Sequence, residues 1–199
     1  MFVNSKCDNN DCNNYSITNS DYCFSHEKNP TDLIKNVITM TEDNKRRLTN
    51  ISCRASEFSK IEIPCDHLIA NQFSESTFSN IRFNNLFVKL CFFDYCKFEN
   101  CSFTDTDIRY SVFGGSEFIN CTFLDSEILH SNFNGANMEN TAFKSCDLYF
   151  SCFVMSNLSN VSFIDCNLKK TTYVGSKREN VNFKYSNVEE AEFSKGDNP

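Results

Sequence analysis

Between Cys101 and Phe123 the chain reads CSFTDTDIRYSVFGGSEFINCTF, with Phe103, Ile108, Phe113, Phe118 and Phe123 at intervals of five and Cys-x-Phe returning after twenty residues. An amphipathic helix repeats its apolar residues about every 3.6 positions and a half-buried strand every second one, so neither accounts for an interval of five. The interval extends far beyond this stretch. Every fifth residue from Phe58 to Phe193 is Phe, Ile, Leu, Val, Met or Tyr, with Arg178 the exception. Two residues before these positions stand small or branched side chains, as in Ser76, Ile81, Leu86, Cys91, Cys96, Cys101, Thr106, Ser111, Ser116 and Cys121.

A longer period is superimposed on the first. Ile63, Phe83, Phe103, Phe123, Phe143, Phe163 and Phe183 form one column at intervals of twenty, and Phe73, Phe93, Phe113, Phe133, Phe153, Tyr173 and Phe193 form another. Between them Leu68, Val88, Ile108, Ile128, Leu148, Leu168 and Val188 are all aliphatic. A period of five alone would not sort residue types in this way. The sorting requires a coil in which residue n packs on residue n+20, with rungs about 4.8 Å apart and aromatic rings stacked along the axis.

These residues resemble the pentapeptide-repeat family, whose pattern is a small residue, a polar one, Leu or Phe, then two outward residues. The resemblance implies that four pentapeptides make one square coil of a right-handed β-helix, with the central and small residues inside. The expected fold class is therefore all-β, a right-handed quadrilateral β-helix of about seven coils over residues 56–195, followed by a tail at 196–199. Asn80, Asn100, Asn120, Asn140, Asn160 and Asn180 recur once per coil, and Gly115, Gly135 and Gly175 mark another corner. Both residue types supply turn chemistry. Asp66 and Asn71 occupy inward slots, which places the regular start near Ser76 after an irregular entry. Residues 31–55 are expected to hold a linker and a short capping helix with Thr31 as its cap and Leu33, Ile34, Val37 and Ile38 as its apolar set. Arg178 breaks its column at the last coil, where its stem can pack and its head reach water.

The twelve cysteines divide into two groups. Cys91, Cys96, Cys101, Cys121, Cys146 and Cys166 fall in the inward small slot beside Ser, Thr, Ala and Val, where a thiol acts as a small hydrophobe. Cys101 and Cys121, like Cys146 and Cys166, lie one rung apart, so a disulfide is open to them in an oxidising compartment; exchange with Ser and Thr favours reduced packing thiols. Cys7, Cys12, Cys23 and His26 are spaced C-x4-C-x10-C-x2-H within residues 1–30. Three thiolates and an imidazole make a full tetrahedral shell for structural Zn2+, and a polar segment of this length needs a staple to fold. A chance cluster is the rival reading in a chain so rich in cysteine.

Composition restricts the function classes. A formal net charge of −7 argues against a generic nucleic-acid coat, and acids and bases balance over residues 1–55, so direct nucleic-acid binding is not expected. No apolar run approaches a membrane span, and the opening MFVNSKCDNN lacks the basic and apolar regions of a secretory signal, so a cytoplasmic protein without membrane contact is expected. There are three histidines, no Gly-rich phosphate loop and no nucleophile–base spacing, which points away from an enzyme; catalytic residues: none. His130 precedes Ser131, but the repeat turns Ser131 inward.

Two outward surfaces remain. Asp105, Asp107, Asp125, Glu127, Asp147 and Asp165 line one edge. Two carboxylates per rung approach the charge density of duplex DNA, about one per 1.7 Å. That density suits a DNA mimic, as implied by members of the resembled family that protect DNA gyrase, a topoisomerase. Solvation alone is the simpler role of such an edge. Along the adjoining corner run Leu90, Phe92, Tyr110, Val112, Leu129, His130, Tyr149 and Phe150, then Lys169 and Lys170. Exposed aromatics with nearby cations have the composition of a protein interface. The leading expectation is a non-catalytic interaction platform with a protein partner, and the alternative is the DNA mimic.

Overall fold

The computed structural model describes residues 5–39, 46–59, 63 and 65–197. Those from Arg47 onward wind into a right-handed quadrilateral β-helix. Each side of the square is one pentapeptide, and each strand is only three residues long, because the backbone turns at the fifth position. From Ala70 to Tyr185 the turn has one cause at every corner. Residues such as Asn80, Asn85, Leu90 and Tyr95 all adopt positive φ, between 51° and 57°, and the pattern continues every five residues along the coil. A left-handed residue turns the chain sharply from one side of the square to the next, which Asn and Gly tolerate and larger side chains resist.

Three sides form parallel sheets in which every residue pairs with the one twenty positions on. The longest sheet has seven strands, from Glu57–Ser59 to Lys177–Glu179, and so spans about six turns between its first and last levels. Two five-stranded sheets run from Arg47–Thr49 to Glu127–Leu129 and from Arg82–Asn84 to Ser162–Ile164. The fourth side is a ladder of single bridges, Ser52–Gln72–Phe92–Val112–Asn132–Cys152–Thr172–Glu192. Pairing already begins at Arg47, where Leu48 lies opposite Leu68, so the expected irregular entry before Ser76 is corrected. The reason is visible at Asn71. It is fully buried, donates to Leu48 O at 2.9 Å and accepts from Ile51 N at 3.0 Å, so its amide takes the place of the usual small residue.

The core follows the columns. Phe83, Phe103, Phe123, Phe143 and Phe163 stack with centroids 4.4–4.9 Å apart, nearly parallel. The Phe73 to Phe193 column stacks at 4.8–5.2 Å. The two columns meet edge to face, as at Phe143–Phe153, where the planes cross at 89°. Offset stacking along the axis and edge contacts across it are the two arrangements an aromatic quadrupole favours, each adding about 0.5–1.5 kcal/mol beyond burial.

The small slot has its own rule. Its side chain donates to the carbonyl 23 residues back, as in Ser116 to Phe93 O (2.6 Å), Thr171 to Leu148 O (3.0 Å) and Cys96 to Phe73 O (3.0 Å). A hydroxyl there also accepts the N–H twenty residues back, as Ser151 does from Ser131. Ser, Thr and Cys are interchangeable because each can donate this bond. The packing cysteines are free thiols, and burial pushes Cys91 up to about 12.

At the start, the helix α1 covers Pro30–Thr39. Thr31 therefore lies inside it, exposed, and the expected cap moves to Asn29, whose carbonyl accepts the Leu33 N–H. Pro30 at the first helical position needs no N–H partner. Val37 is buried and Leu33 half-buried against the core; the side chains of Ile34 and Ile38 lie outside the described set. At the other end Arg178 keeps its column position. Its guanidinium donates to Ser176 Oγ (2.9 Å) and Asp197 (3.2 Å), and its Cζ lies 4.8 Å from the Phe193 ring centre.

Candidate functional sites: a Cys3His cluster and an aromatic corner

An antiparallel bridge between Lys6 and Tyr15 forms a small hairpin that carries Cys7 and Cys12. Cys7 N donates to Asn14 O and Cys12 N to Asn9 O, which fixes both cysteines on one side of the turn. A tight turn closed by His26 N and Glu27 N donating to Cys23 O presents Cys23 and His26. The four ligand atoms lie within 4.8 Å of one another. Cys7 Sγ to His26 Nδ1 is 3.5 Å, Cys23 Sγ to His26 Nδ1 is 3.4 Å and Cys12 Sγ to Cys23 Sγ is 3.8 Å. With metal–sulfur distances of about 2.3 Å and metal–nitrogen distances of about 2.0 Å, a tetrahedron has edges of about 3.8 Å between sulfurs and about 3.5 Å between sulfur and nitrogen. The donor set and its spacing fit a tetrahedral metal ion. Burial acts to raise the Cys7 thiol, but the backbone N–H groups of Cys23 and Asn9, with His26, more than offset this and hold it at about 6, which favours a thiolate ligand.

The cluster docks on the β-helix. Thr18 N donates to Ser52 O (2.9 Å) and Ser52 N to Thr18 Oγ1 (2.8 Å), so Thr18 supplies a level below the bridge ladder of the fourth side. Ile17 is buried in the common core, and the Arg54 guanidinium lies 5.0 Å from the Tyr15 ring centre. The segment thus covers an edge that would otherwise offer unpaired backbone groups. This docking has no signal in the period of the sequence, because Thr18 and Ser52 are 34 residues apart.

The aromatic strip converges on one corner. Tyr110 stacks on His130 at 5.1 Å and His130 on Phe150 at 5.1 Å, while Lys170 Nζ lies 5.5 Å from the Phe150 ring centre. Tyr149 meets His130 edge-on at 5.7 Å. Leu90 heads the column, 47% exposed, and Phe92 and Val112 follow on the adjacent bridge ladder. Leu129 ends the strand before His130 and is half-buried. Leu90, Tyr110, His130, Phe150 and Lys170 all have positive φ. Ser131 is buried and its Oγ donates to Leu129 O, so its adjacency to His130 creates no nucleophile–base pair.

The acidic edge divides into two columns with different surroundings. Asp107 and Glu127 both bind Arg109, at 2.6 and 3.0 Å. Asp147 accepts from Tyr149 N and from Asn167 Nδ2, both at 2.9 Å. Asp105, Asp125 and Asp165 occupy the neighbouring corner at positive φ. Asp165 accepts from Ser145, and Asp105 and Asp125 form no ion pair among the described residues. The arginine inside this edge was not expected from the spacing of its carboxylates.

Comparison with known proteins agrees with this architecture. Residues 113–193 match the family model described as a pentapeptide repeat region, so this part of the chain is pentapeptide-repeat sequence and the coil has the pentapeptide-repeat fold. Among solved structures, a trypsin-treated variant of QnrB1, a plasmid-mediated fluoroquinolone resistance protein, superposes with a TM-score of 0.63 at 20% identity, over 73% of this chain and 74% of that one. A second trypsin-treated QnrB1 variant gives 0.52 at 19% identity, over 70% and 71%. No curated protein sequence matches the chain. No described helix is long and apolar enough to cross a membrane.

Proposed function

We propose that this chain is a non-catalytic protein–protein interaction platform whose aromatic corner is the partner-binding surface. The observation that carries this reading is the choice of residues at that corner. All four corners need left-handed backbone. One uses Asn80 to Asn180 throughout, one is rich in Asp and one mixes three glycines with Tyr95 and Met155, whereas the fourth, after Asn50 and Ala70, carries an unbroken run of larger side chains in Leu90, Tyr110, His130, Phe150 and Lys170. Bulky residues there cost about 1–2 kcal/mol each in backbone strain. Exposed rings held at that cost gain most from a partner that covers them.

At the N-terminal end Cys7, Cys12, Cys23 and His26 would hold Zn2+ as a structural staple for the segment that covers the coil edge. The ion would add folding free energy there and no chemistry. The inward thiols donate hydrogen bonds to carbonyls, a role only reduced cysteine can fill, which supports a reducing compartment such as the cytoplasm.

The second reading is a DNA mimic acting on a topoisomerase, and the fold likeness to QnrB1 is what favours it. Arg109 weighs against it by neutralising the middle of the acidic edge. Affinity capture with Phe150→Asn and Tyr110→Asn on one side, and Asp105→Asn with Asp125→Asn on the other, separates the two. Partner loss only in the aromatic variants supports the platform. Loss of a DNA-groove enzyme only in the charge variants overturns it in favour of mimicry.

A further inference from the structure

The side of the coil beyond the aromatic corner has features that the strip alone does not explain. Its outward columns are Phe92, Val112, Asn132 and Cys152, and Asp94, Gly114, Asn134 and Val154. The far corner carries Tyr95 and Met155, 70% and 73% exposed, separated by glycines. Tyr95 lies over Gly115, where an added Cβ would come within 2.6 Å of its ring, and Met155 lies against Gly175. Two bulky corners therefore bound a floor that is apolar at Phe92, Val112, Cys152 and Val154, polar at Asn132 and Asn134, and acidic at Asp94, whose carboxylate accepts from Ser74 Oγ; the far wall is open at Gly135, where an added Cβ would find no atom nearer than 4.0 Å.

Dimensions and charge select the occupant. One side of the coil is four residue steps wide, about 13 Å at about 3.3 Å per residue, and the four rungs of the floor are separated by three intervals of about 4.8 Å, about 14 Å in all. That is far less than the roughly 800 Å² per partner of a stable dimer, which excludes a second copy on this side alone. Its width matches the diameter of one α-helix, about 10–12 Å, and its length that of about 10 helical residues. The rungs also have a helical period. The stacked rings repeat at 5.1 Å and a helix at about 5.4 Å per turn, whereas same-side residues of a strand repeat at about 6.6 Å and slip out of register within two rungs. Arg109 is already paired with Asp107 and Glu127 and Lys169 with Glu190, so among the described residues Lys89 and Lys170 are the cations left beside the aromatic wall, and acids suit the partner there. At the centre, Asn132 and Asn134 use their side-chain carbonyls on Asn134 N and Val154 N, which leaves their amide N–H groups to donate to a polar residue of the occupant.

We propose that this trough docks a single amphipathic α-helix of a protein partner, lying along the coil axis, with an apolar stripe broken by one central polar residue and an acidic flank. The proposal rests on the platform reading and names its partner class. The test is a displayed library of 16-residue alanine-rich helices, with stripe and flank positions randomised, selected on the full chain. The expected sequences carry Leu, Ile, Phe or Met at i, i+4 and i+11, a polar residue between, and Asp or Glu on one flank. Their affinity should fall at least tenfold on a Val154→Glu, Met155→Glu chain of unchanged circular dichroism, and similarly on Lys89→Glu, Lys170→Glu. Unpatterned or extended winners, or equal binding to the variants, would overturn the proposal, as would self-association abolished by Val154→Glu. If capture still depends on Tyr110 and Phe150 while no patterned helix is enriched, the helix falls and the platform stands. If neither dependence appears, both fall.

Discussion

At Tyr173 a phenol replaces the phenyl ring of its column. The ring stacks between Phe153 and Phe193, but its hydroxyl is buried with no hydrogen-bond partner. Such a group costs about 1–3 kcal/mol. Tyr173→Phe is expected to raise the melting temperature by about 2–4 °C per kcal/mol recovered; a drop in thermal denaturation would mean that the hydroxyl has a partner. Phe150 is the opposite case. Phe150→Asn relieves left-handed strain, so stability should hold or rise while partner capture is lost, and parallel melting and capture assays separate the two effects. The inward positions are legible in the sequence because each pentapeptide assigns one residue to each role. Asn71 looks like a break in that pattern only because its amide reproduces two hydroxyl hydrogen bonds from a longer side chain.

Elements depend on their neighbours above and below. Three-residue strands have no stability alone and gain it from pairing at an offset of twenty. Phe123→Asp would place a carboxylate between Phe103 and Phe143, each about 4.5 Å away by ring centroid, and should abolish cooperative folding. An unchanged denaturant melt would refute the inward register. The Cys3His segment folds by a different principle, since it contributes little to the core beyond Ile17 and the half-buried Phe24. Cys7→Ser with Cys23→Ser should remove bound zinc, measured by metal analysis of the purified protein, and leave the far-UV signature of the coil. The spacing of its four ligands is readable in the sequence. Its docking through Thr18 and Ser52 is not, because that contact joins an aperiodic segment to a periodic one.

For the whole molecule, outward residues are presented as columns, and the charge and aromatic columns sit on neighbouring corners. Column membership follows from counting by twenty, so the strip and the acidic edge can be found before any coordinates. What counting leaves out is how neighbouring columns interact. Arg109 reaches across to Asp107 and Glu127, and Tyr95 leans over Gly115, and both change what a partner meets. Replacing Arg109 with Gln should leave two uncompensated carboxylates and make any DNA-groove enzyme bind more tightly if mimicry operates; unchanged affinity in a pull-down titration would count against that reading.

The left-handed residue at every fifth position makes the chain a protractor as well as a ruler. Inserting five residues in the coil would turn everything downstream by a quarter turn, carrying Phe150 and Lys170 away from Tyr110 and breaking the exposed stack, although every inserted residue could satisfy the local pattern. Inserting twenty would leave each column on its own side and lengthen the molecule by one rung. Length variation in this architecture is therefore quantised, with multiples of five preserving the fold and only multiples of twenty preserving its surfaces.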